Sequence, residues 1–387
     1  MRIAFFSTMG GLPWGGSEEL WCRTASTLLD RGHEVAFNSI RWPTIAAPLQ
    51  GLIDRGAKGQ FRSRRRMGRS LRQALEKLRL TRLKYMSWLH KCRPDFVVIS
   101  LSCHVDDPQI ATTCRALSIP YSIVLQAAGP HMWMDPRNLD DFRAAYTQAK
   151  RCFFVSNENR ETVESNLAIE LPRAEVIDNP FNVSLDASPS WPTTTPHWKL
   201  ACVARIHYVT KSQDLILRVL RMPKWRTRPL HVTLYGSDNG NLNQLRRALD
   251  VYGLHRQITY AGVSNNIEQL WANHHGLLLP SRAEGNALSL IEAMMCGRMP
   301  ITTNVGRAAE LIDDGSSGFI APAATAELLD QALERAWARR DDWRAIGQRA
   351  AHAIRTRHSL RPAEDFADRI LEAASEGSKS ITRRLAA

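Results

Sequence analysis

Apolar residues in this chain fall into short continuous runs separated by longer stretches of helical periodicity, the pattern of buried parallel strands alternating with helices. Residues 3–7 form the first run. A loop holding Gly10, Gly11, Gly15 and Gly16 follows, then Ser17, expected as an N-cap with Glu18 and Glu19 in the first turn. Leu20, Trp21, Ala25 and Leu28 carry the helix to Gly32, and residues 33–37 give the next strand. This is half of a doubly wound sheet, whose ligand crevice lies beyond the C-terminal ends of its strands.

Leu71, Leu75, Leu78, Tyr85 and Leu89 share one face of a further helix that Pro94 ends. Residues 96–101, 121–125 and 152–155 read as strands. Composition changes between 182 and 198, where Pro189, Pro192, Pro196 and three successive threonines predict an interdomain linker. Alternation then resumes, with strands at 200–204, 231–235, 258–260, 276–279 and 300–303 and helices around 215–220, 242–251 and 287–295. The pattern predicts an α/β protein of two doubly wound, Rossmann-like domains facing a cleft. Their expected bounds are 1–181 and 199–359, with a C-terminal helix at about 360–387 packing back on the first domain.

Composition narrows the class. In 387 residues, 44% apolar and 23% charged is a globular balance, which excludes wholesale disorder and a fibrous repeat. No apolar run approaches the roughly 18–20 residues of a membrane-spanning helix, and the N-terminal run is too short for a secretory signal. Seven dispersed cysteines, never in a C-x-x-C spacing, fit neither a disulfide framework nor a zinc site, so a reducing cytoplasm is expected. A net charge of +13 calls for an anionic partner. Most of it arises between residues 58 and 93, which hold thirteen Lys or Arg against one acid, Glu76.

Candidate chemistry concentrates between 279 and 315. Pro280 and Ser281 end a strand, residues 282–285 turn, and a helix expected over 286–295 closes at Gly297. The unpaired N–H groups and positive dipole end of such a helix suit an anion. Glu284 in the turn and Glu292 on the helix could accept paired sugar hydroxyls, although two such carboxylates alone read first as solvated surface charges.

The whole string LLLPSRAEGNALSLIEAMMCGRMPITTNVGRAAELI resembles the nucleotide-sugar signature of family 4 glycosyltransferases, retaining enzymes of the two-Rossmann GT-B type. Gly15, Gly16, Ser17 and Glu18 resemble that family's glycine loop; FFVSNENRETV with VIDNPFNV, and CVARIHYVTKSQDLIL, follow in the family's order, as do VTLYGSDNGN and ITYAGVSNNIEQLWANHHGLLLPS. The resemblance implies that Arg205 and Lys211 clamp the donor pyrophosphate, where charge accumulates as the glycosyl bond breaks. It implies that Glu292 binds the ribose and Glu284 the transferred sugar, while amides of Asn286, Ala287 and Leu288 meet sugar and phosphates. Gly15 and Gly16 would let backbone approach the diphosphate. Attack on the leaving-group face then needs no enzymic nucleophile, no cofactor and no metal; CHVDD at 103–107 reads as a loop rather than a metal cluster.

The sequence departs from the family pattern in three places. A His common at the end of the strand in YSIVLQAAGPH is Gln126 here, with His131 five residues on, and either is a candidate sugar contact. The usual Lys-Gly pair is Lys211-Ser212, and His207 intervenes after Arg205. The expected partners are a nucleotide-sugar donor, UDP- or GDP-linked, and a glycan or lipid-linked acceptor. The basic stretch 58–93 reads either as a solvated helix or as a docking face for anionic lipid, which would place the protein peripherally at the inner face of a membrane. A sugar-nucleotide epimerase of the same architecture is the alternative. A nucleic-acid-binding role, motivated by charge alone, lacks stacking aromatics and a recognised module.

Overall fold

The first apolar run folds as strand β1 (Arg2–Ser7), and its alternate residues serve two different cores. Ile3 and Phe5 join Leu20, Trp21 and Leu28 of helix Gly16–Asp30 on one face of the sheet, whereas Ala4 and Phe6 join Ile110 and Phe142 on the other. Both faces are covered, which is why the strands read as continuous apolar runs rather than as alternations.

The protein is described here from a computed structural model, which covers residues 1–63, 83–106, 108–129, 131–193 and 197–385. The chain divides into two units, one of Met1–Pro180 with Arg361–Ala387 and one of Phe181–Leu360. In the first, β1, β2 (Glu34–Ile40), β3 (Lys58–Arg62), β4 (Phe96–Leu101), β5 (Tyr121–Leu125), β6 (Cys152–Phe154) and β7 (Ala174–Val176) form one parallel sheet in the order β3-β2-β1-β4-β5-β6-β7. In the second, β8 (Trp198–Val203), β9 (Leu230–Tyr235), β10 (Ile258–Gly262), β11 (Gly276–Leu279), β12 (Met299–Thr303) and β13 (Phe319–Ala321) run parallel in the order β10-β9-β8-β11-β12-β13. Each order is doubly wound, reversing direction between β1 and β4 and between β8 and β11. Ligand crevices open at such reversals, beyond the strands' C-terminal ends.

Helix Pro362–Leu385 belongs to the first unit: Phe366, Ile370 and Ala373 are fully buried with Ile3, Phe5 and Leu28. Arg151 ties it down further, donating to Glu372 at 3.1 Å and Glu376 at 2.6 Å.

Several expectations are corrected. The stretch 182–198 is not a free linker: Val183 and Ala187 lie in the core of the second unit with Leu290 and Met294, and Trp198 already opens β8. Helix Gly16–Asp30 is capped by Gly15, not Ser17, so Ser17 sits inside the first turn. The basic stretch begins as a strand, since Lys58 to Arg62 are β3, and Arg62 is no surface charge. Its guanidinium donates to the Ser7 carbonyl and to Asn38 Oδ1 at 2.8 Å, over the Phe6 ring. The basic residues from Arg64 to Arg82, with Leu71, Leu75 and Leu78, lie outside the described residues; Tyr85 and Leu89 are on helix Leu83–Cys92. No helix among the described residues is long and apolar enough to cross a membrane.

Candidate functional site

In the second unit the reversal between β8 and β11 brings two strand-end segments together: residues 204–214 after β8 and residues 280–287 after β11. Arg282 fastens them. Its guanidinium donates to both carboxylate oxygens of Asp214 at 2.9 Å and to the Tyr208 carbonyl at 2.6 Å, and its backbone N–H donates to the Thr210 carbonyl at 2.8 Å. A bidentate Arg–carboxylate pair fixes orientation as well as distance.

That clamp sets the central pair. Lys211 Nζ donates to Glu284 Oε1 at 2.6 Å, and Ser281 Oγ donates to the same oxygen at 2.6 Å. The two side chains are only 17% and 10% exposed, so this is not one of the solvated surface pairs that contribute little. Arg205 stands on the same segment, half-buried, and its guanidinium makes no hydrogen bond or ion pair to a described residue. Burial pulls its pKa below the ordinary guanidinium value, and the charge of Glu284 opposes that pull. The backbone is held meanwhile by Gln213, whose Nε2 donates to the Arg205 carbonyl at 2.8 Å and whose Oε1 accepts from His207 N at 3.2 Å.

The helix on this loop starts two residues later than expected, at Leu288–Met295, with Ala287 as an N-cap whose side chain caps nothing. The amide end is therefore open, beside a lone cation and a Lys–Glu pair, and such a set attracts an anion. Asn286 is buried in the preceding turn. Glu292, 3% exposed, is not a solvated charge: its Oε1 accepts from the Asn182 N–H at 3.1 Å and Nδ2 at 2.9 Å.

Two glycines that the sequence reading passed over shape these loops. A side chain on Gly306 (φ +60°) would strike the Gly285 carbonyl, and one on Gly236 (φ +142°) would strike that of Ala204, next to Arg205. Arg282, too, went unread, because its partners lie some seventy residues earlier and only the topology unites them.

In the first unit the corresponding reversal joins the loops after β1 and β4. Asp106 Oδ2 accepts from Thr8 Oγ1 at 2.5 Å, Ser102 Oγ at 2.8 Å and Cys103 N at 3.0 Å, so CHVDD is a tied turn as far as it is described, through Asp106. Gly15 is extended (φ −169°), and an added Cβ would meet only the terminal methyl of Met9 at 3.2 Å; nothing inside the unit demands glycine there. Glu18 is buried, accepting from Ser7 Oγ at 2.5 Å and from the Trp21 indole, and burial raises its pKa above the usual carboxylate range. Gln126, 5% exposed, leaves both side-chain amide atoms without a partner among the described residues, while His131 is exposed. A histidine not singled out, His104, is fully buried with Nε2 2.9 Å from the Met132 carbonyl.

All seven cysteines are unpaired, and burial pushes Cys22, Cys114, Cys152, Cys202 and Cys296 up to about 12, which keeps them as inert thiols. Among the described residues no group of three or more His, Cys, Asp or Glu converges on a point that could hold a metal ion.

Known proteins resemble this chain in part of its sequence and in its fold. Residues 198–339 match the family model described as glycosyl transferases group 1. A glycogen synthase of Pseudomonas syringae is 39% identical over 69 residues, which is 18% of this chain and 14% of that protein. Among solved structures, Anabaena HepE in complex with UDP superposes with a TM-score of 0.69 at 17% identity, covering 99% of this chain and all of that one. A glycosyltransferase from Rickettsia africae gives a TM-score of 0.73 at 16% identity, over 98% of both chains. These structures share the fold of two parallel-sheet α/β domains known as GT-B.

Proposed function

We propose that the protein is a glycosyltransferase that moves a sugar from a nucleotide-diphosphate sugar to an acceptor hydroxyl, with retention of configuration. The observation that carries this reading is the unpartnered Arg205 guanidinium beside the Lys211–Glu284 pair, inside the segment that matches group 1 glycosyl transferases. That match favours transfer over epimerisation.

The chemistry follows from the charges. As the bond from the anomeric carbon to the phosphate oxygen breaks, negative charge collects on the leaving diphosphate; Arg205 and Lys211 favour that state more than the intact donor. Lys211 exchanges Glu284 for phosphate, which frees the Glu284 carboxylate to accept from a sugar hydroxyl. The acceptor oxygen bonds to the anomeric carbon on the face the phosphate leaves, and its proton passes to a phosphate oxygen. The open amides at Leu288–Met295 add fixed donors, and Glu292, oriented by Asn182, is assigned to the ribose. With two fixed cations supplying the counter-charge, this scheme has no metal-dependent step.

The first unit is assigned to the acceptor, a glycan or lipid-linked hydroxyl, with Gln126 rather than the exposed His131 as its polar contact for sugar; a buried amide without a partner has most to gain from a ligand. Peripheral attachment to anionic lipid through the basic residues of 58–93, Arg62 apart, belongs to the same proposal. Anabaena HepE, solved with UDP and with UDP-glucose, makes UDP the first nucleotide to test. Hydrolysis of a panel of UDP-, GDP- and ADP-sugars in the presence of EDTA is the direct assay. Turnover of one donor with loss in Arg205→Ala supports the reading, and no turnover or binding of any donor refutes it.

A further inference from the structure

A charged cavity lies at the other end of the second unit's sheet. It occupies about 270 Å3 where the chain turns from helix Leu288–Met295 into the start of β12, whereas Lys211 and Glu284 follow the strands' C-terminal ends. Its walls are that turn, the segment 186–191 and helix Trp343–Arg357.

Three guanidinium groups line it, those of Arg298, Arg344 and Arg355. Arg298 is 3% exposed, and its donors reach only neutral carbonyls, those of Trp271 at 2.7 Å, Cys296 at 3.0 Å, Pro189 at 2.9 Å and Ser190 at 2.7 Å. Arg355 likewise donates to carbonyls, that of Met295 at 3.0 Å being the nearest. Arg344 is exposed and has no partner among the described residues. None of the three forms an ion pair there, and Asp186, the one carboxylate in the lining, pairs with none of them. Buried arginine is rare unless its charge is matched. The carbonyl bonds fasten the 185–190 segment to the unit, which accounts for where the side chains sit but leaves their charge unbalanced. Burial, with Arg344 acting in the same direction, pulls Arg298 down to about 10. The Trp191 ring, 5.2 Å from the Arg298 guanidinium, adds a flat apolar wall.

We infer that this cavity is a second anion site, which takes a small phosphorylated metabolite with its phosphate among Arg298, Arg344 and Arg355 and its organic body against Trp191. The planar guanidinium fork of Arg344, without a partner among the described residues, matches phosphate oxygens, the charges of Arg298 and Arg355 add attraction, and a cavity of this size admits a phosphate with a sugar-sized body. The site does not depend on the donor site.

The test is calorimetric titration of the full chain at low ionic strength with two probes, inorganic phosphate and a hexose phosphate. Three proteins are compared: wild type, Arg344→Gln and the double variant Arg205→Ala/Lys211→Ala. Arg344 is exposed and unpartnered, so its variant should fold, which circular dichroism checks. The expected result is that both probes bind, the hexose phosphate more tightly. Arg344→Gln should weaken each about tenfold, as loss of a charged phosphate contact does, and the double variant should bind as wild type does. Failure of both probes to bind, binding unaffected by Arg344→Gln, binding lost in the double variant, or equal affinity for the two probes would each overturn the inference.

Discussion

At the scale of single residues, the position after Lys211 shows how a departure from a family pattern becomes intelligible. Ser212 stands in the left-handed region (φ 55°, ψ 37°), conformational space that glycine occupies without strain and other residues enter at a cost of roughly 1 kcal/mol. Arg282 offsets part of that cost by donating to Ser212 Oγ at 3.1 Å. Ser212→Gly should therefore raise stability by about 0.5 kcal/mol in urea denaturation; a loss of stability would show that the hydroxyl contact outweighs the backbone. Lys211→Met addresses the chemistry instead. Removing a fixed cation from the developing phosphate charge should lower kcat on the preferred donor by about a hundredfold or more with the fold intact. A change confined to KM would mean that Lys211 binds the donor and its transition state equally. As candidates, Arg205, Lys211 and Glu284 were picked out by resemblance to a known string of residues. Arg282, Gly236 and Gly306 were not, since each acts across strands that only the folded sheet makes neighbours.

At the scale of elements, strands buried on both faces announced themselves. β4, β5 and β11 match the apolar runs FVVISL, YSIVL and GLLL end to end. Three of the four outer strands, β3, β7 and β13, did not: KGQFR is polar and exposed over its first three residues, and AEV and FIA are only three residues long, too short to stand out as runs. The proline-rich segment misled for a related reason. Composition reads as a linker, yet Arg298 and Arg355 secure its carbonyls from a distance in sequence. The turn into β11 carries a further consequence. His274 and His275 are 3% and 0% exposed, and burial lowers both to about 4. Each is held neutral in the folded chain and gains its proton more readily when unfolded. The stability they contribute is whole above the unfolded value near 6.5 and is lost as pH falls toward about 4, by up to roughly 1.4 kcal/mol per pH unit each. Trp191, Trp198 and Trp343 lie against His275, so tryptophan fluorescence during urea denaturation reports on this unit. His275→Phe removes an acceptor from Lys199 N and should lower stability at neutral pH while flattening its decline in acid; parallel curves for variant and wild type would contradict this account.

At the scale of the whole molecule, two doubly wound sheets repeat one topology, but their strand-end chemistry differs. The second unit assembles cations and a carboxylate at its reversal point; the first has a tied aspartate turn at its own and a buried glutamine after β5. The surplus of basic residues that first suggested an anionic partner thus separates into a few placed cations in the second unit and the stretch 58–93 in the first. The central claim is that Arg205 and Lys211 form the seat of a nucleoside diphosphate. Calorimetric titration of the full chain with UDP, GDP and ADP tests it most directly. The account predicts that at least one nucleotide binds and that Arg205→Ala and Lys211→Ala each weaken it at least about tenfold. Absence of binding by all three, or binding indifferent to both substitutions, would contradict it.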